Sequence, residues 1–269
     1  MSLIIVRGKD REEWLRLRER GIGSSEVGTL LGVNPYDTPY QLWRRKLGMD
    51  PPKKENFAMR AGHYLEEAVS LFYRDEAGVE IIKASAGDWI AYDDSRPYMR
   101  ASPDRTFWIG GLSHSAKNKG VLECKTTQTQ VDASDLPPSW FCQLQYQLGI
   151  VGLRRGALAW LTQGREFGYR NFLFDPAFFE LLADEVSRFW TDNIEGREEP
   201  PLRNARDVLL KYPNLKLEAE KERAIACETL SRMGEDMPGL ADRQDGIDAA
   251  IRLAMRRSAL PSAPSGDKP

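Results

Sequence analysis

A chain of 269 residues, 41% of them hydrophobic, has enough apolar material for one large α/β domain, and no stretch reaches the roughly 18–20 uninterrupted apolar residues of a membrane helix. Three widely spaced cysteines (Cys124, Cys142, Cys227) argue against a disulfide framework and against a cysteine-built zinc or iron–sulfur centre, and only two histidines (His63, His114) argue against a histidine-based hydrolase. The net charge of −2 conceals a basic first segment, with 11 Lys/Arg against 7 Asp/Glu in residues 1–54, and an acidic middle, with 15 against 22 in residues 55–200; that pattern suits an enzyme that grips phosphates and binds cations, and equally suits ordinary surface variation.

The apolar run Leu3–Val6 is too short for a secretory leader, so a cytoplasmic protein is expected. Trp14 to Arg20 reads as a short helix stopped by Gly21. Ser24 and Ser25 then stand at a helix N-cap before Glu26–Leu31 and a Gly32 stop. Thr38 to Leu47 is a further helix, and Gly48 to Lys54, with two prolines, a loop. Met59 to Ala77 is the longest helix, with Leu65, Ala68, Val69 and Phe72 at helical spacing. Strands follow at Val79–Lys83, Trp89–Tyr92, Tyr98–Ala101, Thr106–Ile109 and, after a polar loop, Val121–Thr126. A helix over Trp140–Val151, strands over Gly156–Thr162 and Gly168–Phe174, and a helix from Pro176 to about Ile194 complete the series. The fold class is therefore α/β, a mixed sheet flanked by helices, over residues 1–200. Beyond Pro200-Pro201 a helical extension is expected over 201–257, with helices at Leu217–Met233 and Leu240–Arg257, then a disordered tail over 258–269.

The chemistry concentrates in Val121-Leu122-Glu123-Cys124-Lys125. Side chains alternate along a strand, so Glu123 and Lys125 share one face while Leu122 and Cys124 face the other. The carboxylate can hold a divalent cation, the Cys124 carbonyl can add a ligand, and the ammonium can contact an attacking water and a phosphate. Asp104 lies 19 positions before Glu123, an interval that fits a hairpin and lets two carboxylates converge on one ion. Oxygen donors favour Mg²⁺, and phosphodiester cleavage needs charge stabilisation on the attacking and leaving oxygens. Taken singly, Asp104 reads as a turn residue and Glu123–Lys125 as an exposed ion pair. Glu66, on the long helix, is a third carboxylate or a boundary residue; Glu67 reads as a surface charge. Gln143, Gln145 and Gln147 lie on an aromatic-rich helix, with Gln143 and Gln147 one turn apart; they offer hydrogen bonds to water or phosphate, or simply form a polar face. Arg18 and Ser25, at facing helix ends, make a phosphate pocket or two caps.

The ordered motifs WLRLRERGIGSSEV, AGHYLEEAV, ASPD, LECK and WFCQLQYQ, within a match that runs from about Trp14 to Trp190, resemble the YqaJ-like viral recombinase family, to which phage lambda exonuclease belongs, within the PD-(D/E)XK nuclease superfamily. The resemblance implies a restriction-endonuclease-like core. It implies Mg²⁺ (with Mn²⁺ as a substitute) held by Asp104, Glu123 and the Cys124 carbonyl with help from Glu66, a water oriented by Lys125, Gln143 beside the lysine, and a terminal 5′-phosphate held by Arg18 and Ser25. It further implies a 5′→3′ exonuclease on double-stranded DNA ends that leaves 3′ overhangs, a single-strand annealing protein as partner, and a ring-shaped homotrimer. Cys124 inside LECK and the long segment after Pro200 depart from the plainest form of the pattern. An endonuclease on the same scaffold and a non-catalytic DNA-binding scaffold are the alternatives.

Overall fold

The structure is a computed structural model that describes residues 3–8, 10–51, 55–82, 89–212 and 240–260. Two sheets run through it. The larger has the order β3 (Val79–Ile82), β6 (Arg105–Ile109), β7 (Lys119–Thr127), β8 (Arg155–Thr162), β9 (Glu166–Leu173). All its pairs are antiparallel except β7–β8, which runs parallel from Gly120 opposite Arg155 to Thr127 opposite Thr162. A parallel pair needs a crossover, and the helix α5 (Pro138–Val151) provides it. The smaller sheet has the order β1 (Leu3–Arg7), β4 (Trp89–Asp93), β5 (Arg96–Ala101), β2 (Ile22–Gly23). The mixed α/β class expected from the sequence is the one observed.

Strand alternation decides what each face of β7 meets. Val121 packs with Leu158, Trp160 and α5 in the main core, whereas Leu122 and Cys124 pack with Ala157, Ala159 and α4 (Phe57–Ala77) on the opposite face. α5 is apolar nearly all round and almost wholly buried, which is the pattern of a helix sunk in the core rather than laid on the surface. The side chains of Asp10, Thr38, Asn56 and Asp175 accept backbone N–H bonds at the starts of α1 (Arg11–Glu19), α3 (Pro39–Lys46), α4 and α6 (Pro176–Arg188).

Several expectations change. The helix after Ser24-Ser25 is a single turn, α2 (Val27–Leu30), with Glu26 rather than a serine at its cap position and no side-chain cap bond. Glu26 instead reaches back to the Gly23 N–H (2.8 Å) and to Lys46 (2.9 Å), and Gly28 and Gly32 weaken any longer helix. The stretch expected to stay α-helical to about Ile194 turns π-helical over Phe189–Glu195. Strand β1 was not foreseen. In the extension, α7 (Ala205–Lys211) and a C-terminal helix (Leu240–Ser258) are present, while the helix expected at 217–233 lies outside the described residues. Of the expected tail, Ser258 ends the helix, Ala259 bridges to Phe172 and the Leu260 N–H donates to the Asn171 carbonyl at 3.0 Å; residues 261–269 lie outside the described residues. Among the described residues no helix is long and apolar enough to cross a membrane.

Candidate active site

The sheet and its two covering helices bring three acidic residues and one lysine to the same end of β7. Glu123 is almost fully buried (3% exposed) on the face toward α5. A buried carboxylate needs donors, and three side chains supply them. Lys125 Nζ donates to Glu123 Oε1 at 2.7 Å, Gln143 Nε2 to the same oxygen at 2.6 Å, and Gln147 Nε2 to Glu123 Oε2 at 2.8 Å. Gln143 closes the triangle by accepting from Lys125 Nζ at 2.7 Å. One helical turn separates the two glutamines, so one face of α5 clamps both oxygens of Glu123. The sequence had pointed these glutamines at water or phosphate; the structure places them on the carboxylate. Gln145 points elsewhere, bonding the Leu173 carbonyl and the Asp175 N–H, and holds α5 to the start of α6.

Asp104 sits in the turn between β5 and β6, and its Oδ2 accepts from the Cys124 N–H at 2.8 Å. The hairpin inferred from the interval between Asp104 and Glu123 is thus formed by β6 and β7, with Arg105 opposite Leu122. Removal from water pushes the Asp104 carboxyl well above the usual range, and the charges of Glu123 and Glu66 add to the shift against Lys125 and the Cys124 N–H. Glu66, on α4, is also shifted upward, by burial first, with Arg105 pulling the other way. The Cys124 thiol is pushed well up by burial and by Asp104. Burial is the first cause of each shift, and neighbouring carboxylates add to it.

Arg105 is the residue that sequence reasoning missed here. Its buried guanidinium bonds Glu66 Oε1, the Asp104 carbonyl (2.6 Å) and Glu67 Oε2 (3.1 Å). Glu67, expected as a plain surface charge, is therefore one of its partners. Among the described residues no three His, Cys, Asp or Glu side chains stand in the arrangement of a bound cation. The physical reason is visible: Glu66 is turned to Arg105, Glu123 to Lys125 and the glutamines, and Asp104 to a backbone N–H.

A cleft of about 440 Å³ runs from this corner to the N-terminal region. Glu66, Asp104 and Gln143 line one end; Arg18, Ser24 and Ser25 line the other. Arg18 Nη2 donates to Ser25 Oγ, and its guanidinium lies 5.3 Å from the Trp14 ring. Ser24, which the sequence offered only as a cap, accepts from Gln147 Nε2 at 3.3 Å. Gln147 so touches both Glu123 and Ser24; its i+4 spacing from Gln143 was the available signal.

Residues 13–154 match the model of the YqaJ-like viral recombinase domain. The uncharacterized protein YqaJ of Bacillus subtilis (strain 168) is 29% identical over 199 residues, which cover 71% of this chain and 59% of that protein. The chain thus spans about three fifths of the length of that curated relative. An alkaline exonuclease, LHK-Exo from Laribacter hongkongensis, superposes with a TM-score of 0.50 at 19% identity, covering 77% of this chain and 100% of its own. LHK-Exo in complex with dAMP gives a TM-score of 0.50 at 18% identity, over 69% of this chain and 93% of that one. At these identities the likeness is one of fold.

Proposed function

The chain belongs to the YqaJ-like viral recombinase family, and on that basis we propose that it is a Mg²⁺-dependent deoxyribonuclease, a 5′→3′ exonuclease that digests double-stranded DNA from its ends and leaves 3′ overhangs for recombination. The observation that carries the proposal is the joining of two chemistries by one cleft: the carboxylates of Glu66 and Asp104 with Gln143, which is bonded to Lys125, and the guanidinium of Arg18 with a serine pair.

The donor set at the acidic end fits Mg²⁺ in its chemistry. Asp104, Glu123, Glu66 and the Cys124 carbonyl are hard oxygen donors, and a dication would offset both the burial and the added repulsion from Glu123 that raise Asp104 and Glu66. Bound there, Mg²⁺ (or Mn²⁺ in its place) would supply charge stabilisation at the phosphodiester oxygens. The remaining work belongs to the side chains. Lys125, fixed by Glu123 and Gln143, directs its ammonium at the attacking water and the scissile phosphate. Gln143 and Gln147 keep the Glu123 carboxylate in one orientation. Arg18 and Ser25 hold the terminal 5′-phosphate, so the next phosphodiester falls at the acidic end. A ring-shaped homotrimer, a single-strand annealing partner and a cytoplasmic location belong to the same proposal.

A duplex labelled at one 5′ end, carrying either a 5′-phosphate or a 5′-hydroxyl, tests it. Release of labelled mononucleotides that requires Mg²⁺ and favours the phosphate is the expected result. Cutting of closed circular duplex at a comparable rate would replace the exonuclease reading by an endonuclease, and DNA binding without any cleavage would leave only a scaffold.

A further inference from the structure

Arg100 is the least compensated charge in the cleft. It lies on β5, opposite Gly23 of β2, so the residue next to the Ser24-Ser25 pair is its neighbour across the ladder. The residue is 7% exposed and lines the cleft beside Arg18. Its Nε and Nη1 are buried and make no hydrogen bond. The Tyr92 ring lies 4.9 Å from the guanidinium, and no carboxylate among the described residues pairs with it. Burial together with the charge of Arg20 works against its ionised form. A buried guanidinium with free donors is costly unless something anionic meets it.

Arg18 differs from it: it already has Ser25 as a partner and Glu26 nearby. Arg18 and Arg100 both line the cleft with Gly23, where a Cβ would come 3.4 Å from Arg18 Nε. Two guanidiniums lining one cleft match an anion of charge −2 better than one of charge −1. A terminal phosphate monoester carries nearly two charges at neutral pH, while an internal phosphodiester carries one.

We propose that Arg100 is a specificity-determining residue, a deep phosphate ligand that selects the doubly charged terminal monoester over an internal phosphodiester. The inference rests on the terminal-phosphate reading of Arg18 and Ser25 and adds to it the residue that makes the site count charge. Planar paired donors suit phosphate oxygens, so lysine at this position restores charge without restoring the fork.

The test compares the wild type with Arg100→Met and Arg100→Lys on linear duplex bearing 5′-phosphate or 5′-hydroxyl ends. The quantity read is the ratio of kcat/KM for the two substrates. Arg100→Met should lower that ratio by about tenfold or more, the usual effect of losing a charged hydrogen bond, and Arg100→Lys by less. A merely structural arginine lowers both rates by one common factor and leaves the ratio where it was, which overturns the proposal. A second readout needs no nuclease activity. Inorganic phosphate should raise the Tm of the wild type, relative to chloride at equal ionic strength, and Arg100→Met should lose that rise. An equal rise in both proteins overturns the role of Arg100, whereas an inactive wild type that still shows the Arg100-dependent rise would instead sink the exonuclease reading alone.

Discussion

Asp104 ties the electrostatics of the corner to stability. Its folded-state carboxyl holds a proton more tightly than the unfolded chain does, because burial and the charges of Glu123 and Glu66 oppose ionisation. Stability from this source is complete below the ordinary aspartate value of about 3.9 and is lost as pH rises through the raised value. Asp104→Asn keeps an oxygen for the Cys124 N–H but cannot ionise. Without Mg²⁺ the variant should therefore melt above the wild type at alkaline pH, and the advantage should vanish near about pH 4. Adding Mg²⁺ should stabilise the wild type, by about 1.4 kcal/mol for each tenfold excess over Kd, and should do far less for the variant. Melting curves recorded against pH, with and without Mg²⁺, decide it; a wild type indifferent to Mg²⁺ would exclude the ion from this corner. Lys125 carries a second expectation. Lys125→Ala should lower single-turnover cleavage by at least about a hundredfold while duplex binding persists, and cleavage at the wild-type rate would remove the lysine from the chemistry. At this scale the sequence spoke clearly where local geometry suffices. Two-residue alternation places Glu123 and Lys125 on one face, and a hairpin interval places Asp104 beside them. Arg105 and Arg100 were silent, because their meaning depends on α4 and β2, elements distant in the chain.

α5 is the element on which the corner depends. It crosses from β7 to β8 and presents Gln143 and Gln147 to Glu123 while its other sides vanish into the core. Its close approach to α6 requires Gly149, where a Cβ would sit 2.1 Å from the Phe179 ring. Gly149→Ala should force the helices apart at a cost of about 1–3 kcal/mol. Because the glutamines move with α5, cleavage should fall further than stability alone explains. Comparing activity with residual fold by circular dichroism separates the two effects; full activity in a folded variant would show that the clamp tolerates the shift. The helix itself was readable from its length and its flanking turns. The partner of its glutamines was not, since the i+4 spacing groups Gln143 with Gln147 but only the packing of α5 against β7 brings that face to Glu123. The overlong expectation for α2 has a related cause. Ser24-Ser25-Glu26 reads as a capping sequence, yet tertiary partners take each side chain: Gln147 for Ser24, Arg18 for Ser25, Lys46 for Glu26.

For the whole molecule, the sequence disclosed the α/β class through alternating helix and strand periods, and it concealed how far the core extends. The composition change at Pro200 suggested an appendage. The C-terminal helix instead inserts Ile247, Ile251 and Ala254 into the main core, which also holds α5 and α6. Arg257 bonds Asp175, the cap of α6, at 2.7 Å, and Gln244 donates to the Leu31 carbonyl at 3.0 Å, just past α2. The helix thus braces α2 and α6, both of which pack on α5, the helix that carries Gln143 into the cleft. Two neighbouring substitutions test that docking. Ile251 is 1% exposed and Leu253 is 54% exposed on the same helix. Ile251→Ala should cost about 2–5 kcal/mol, the usual effect of an emptied core position, whereas Leu253→Ala should stay within about 0.5 kcal/mol. Denaturant unfolding of both variants measures the contrast. Equal and small effects would mean that the helix does not bear on the core, and the cleft would then have to hold its shape without it.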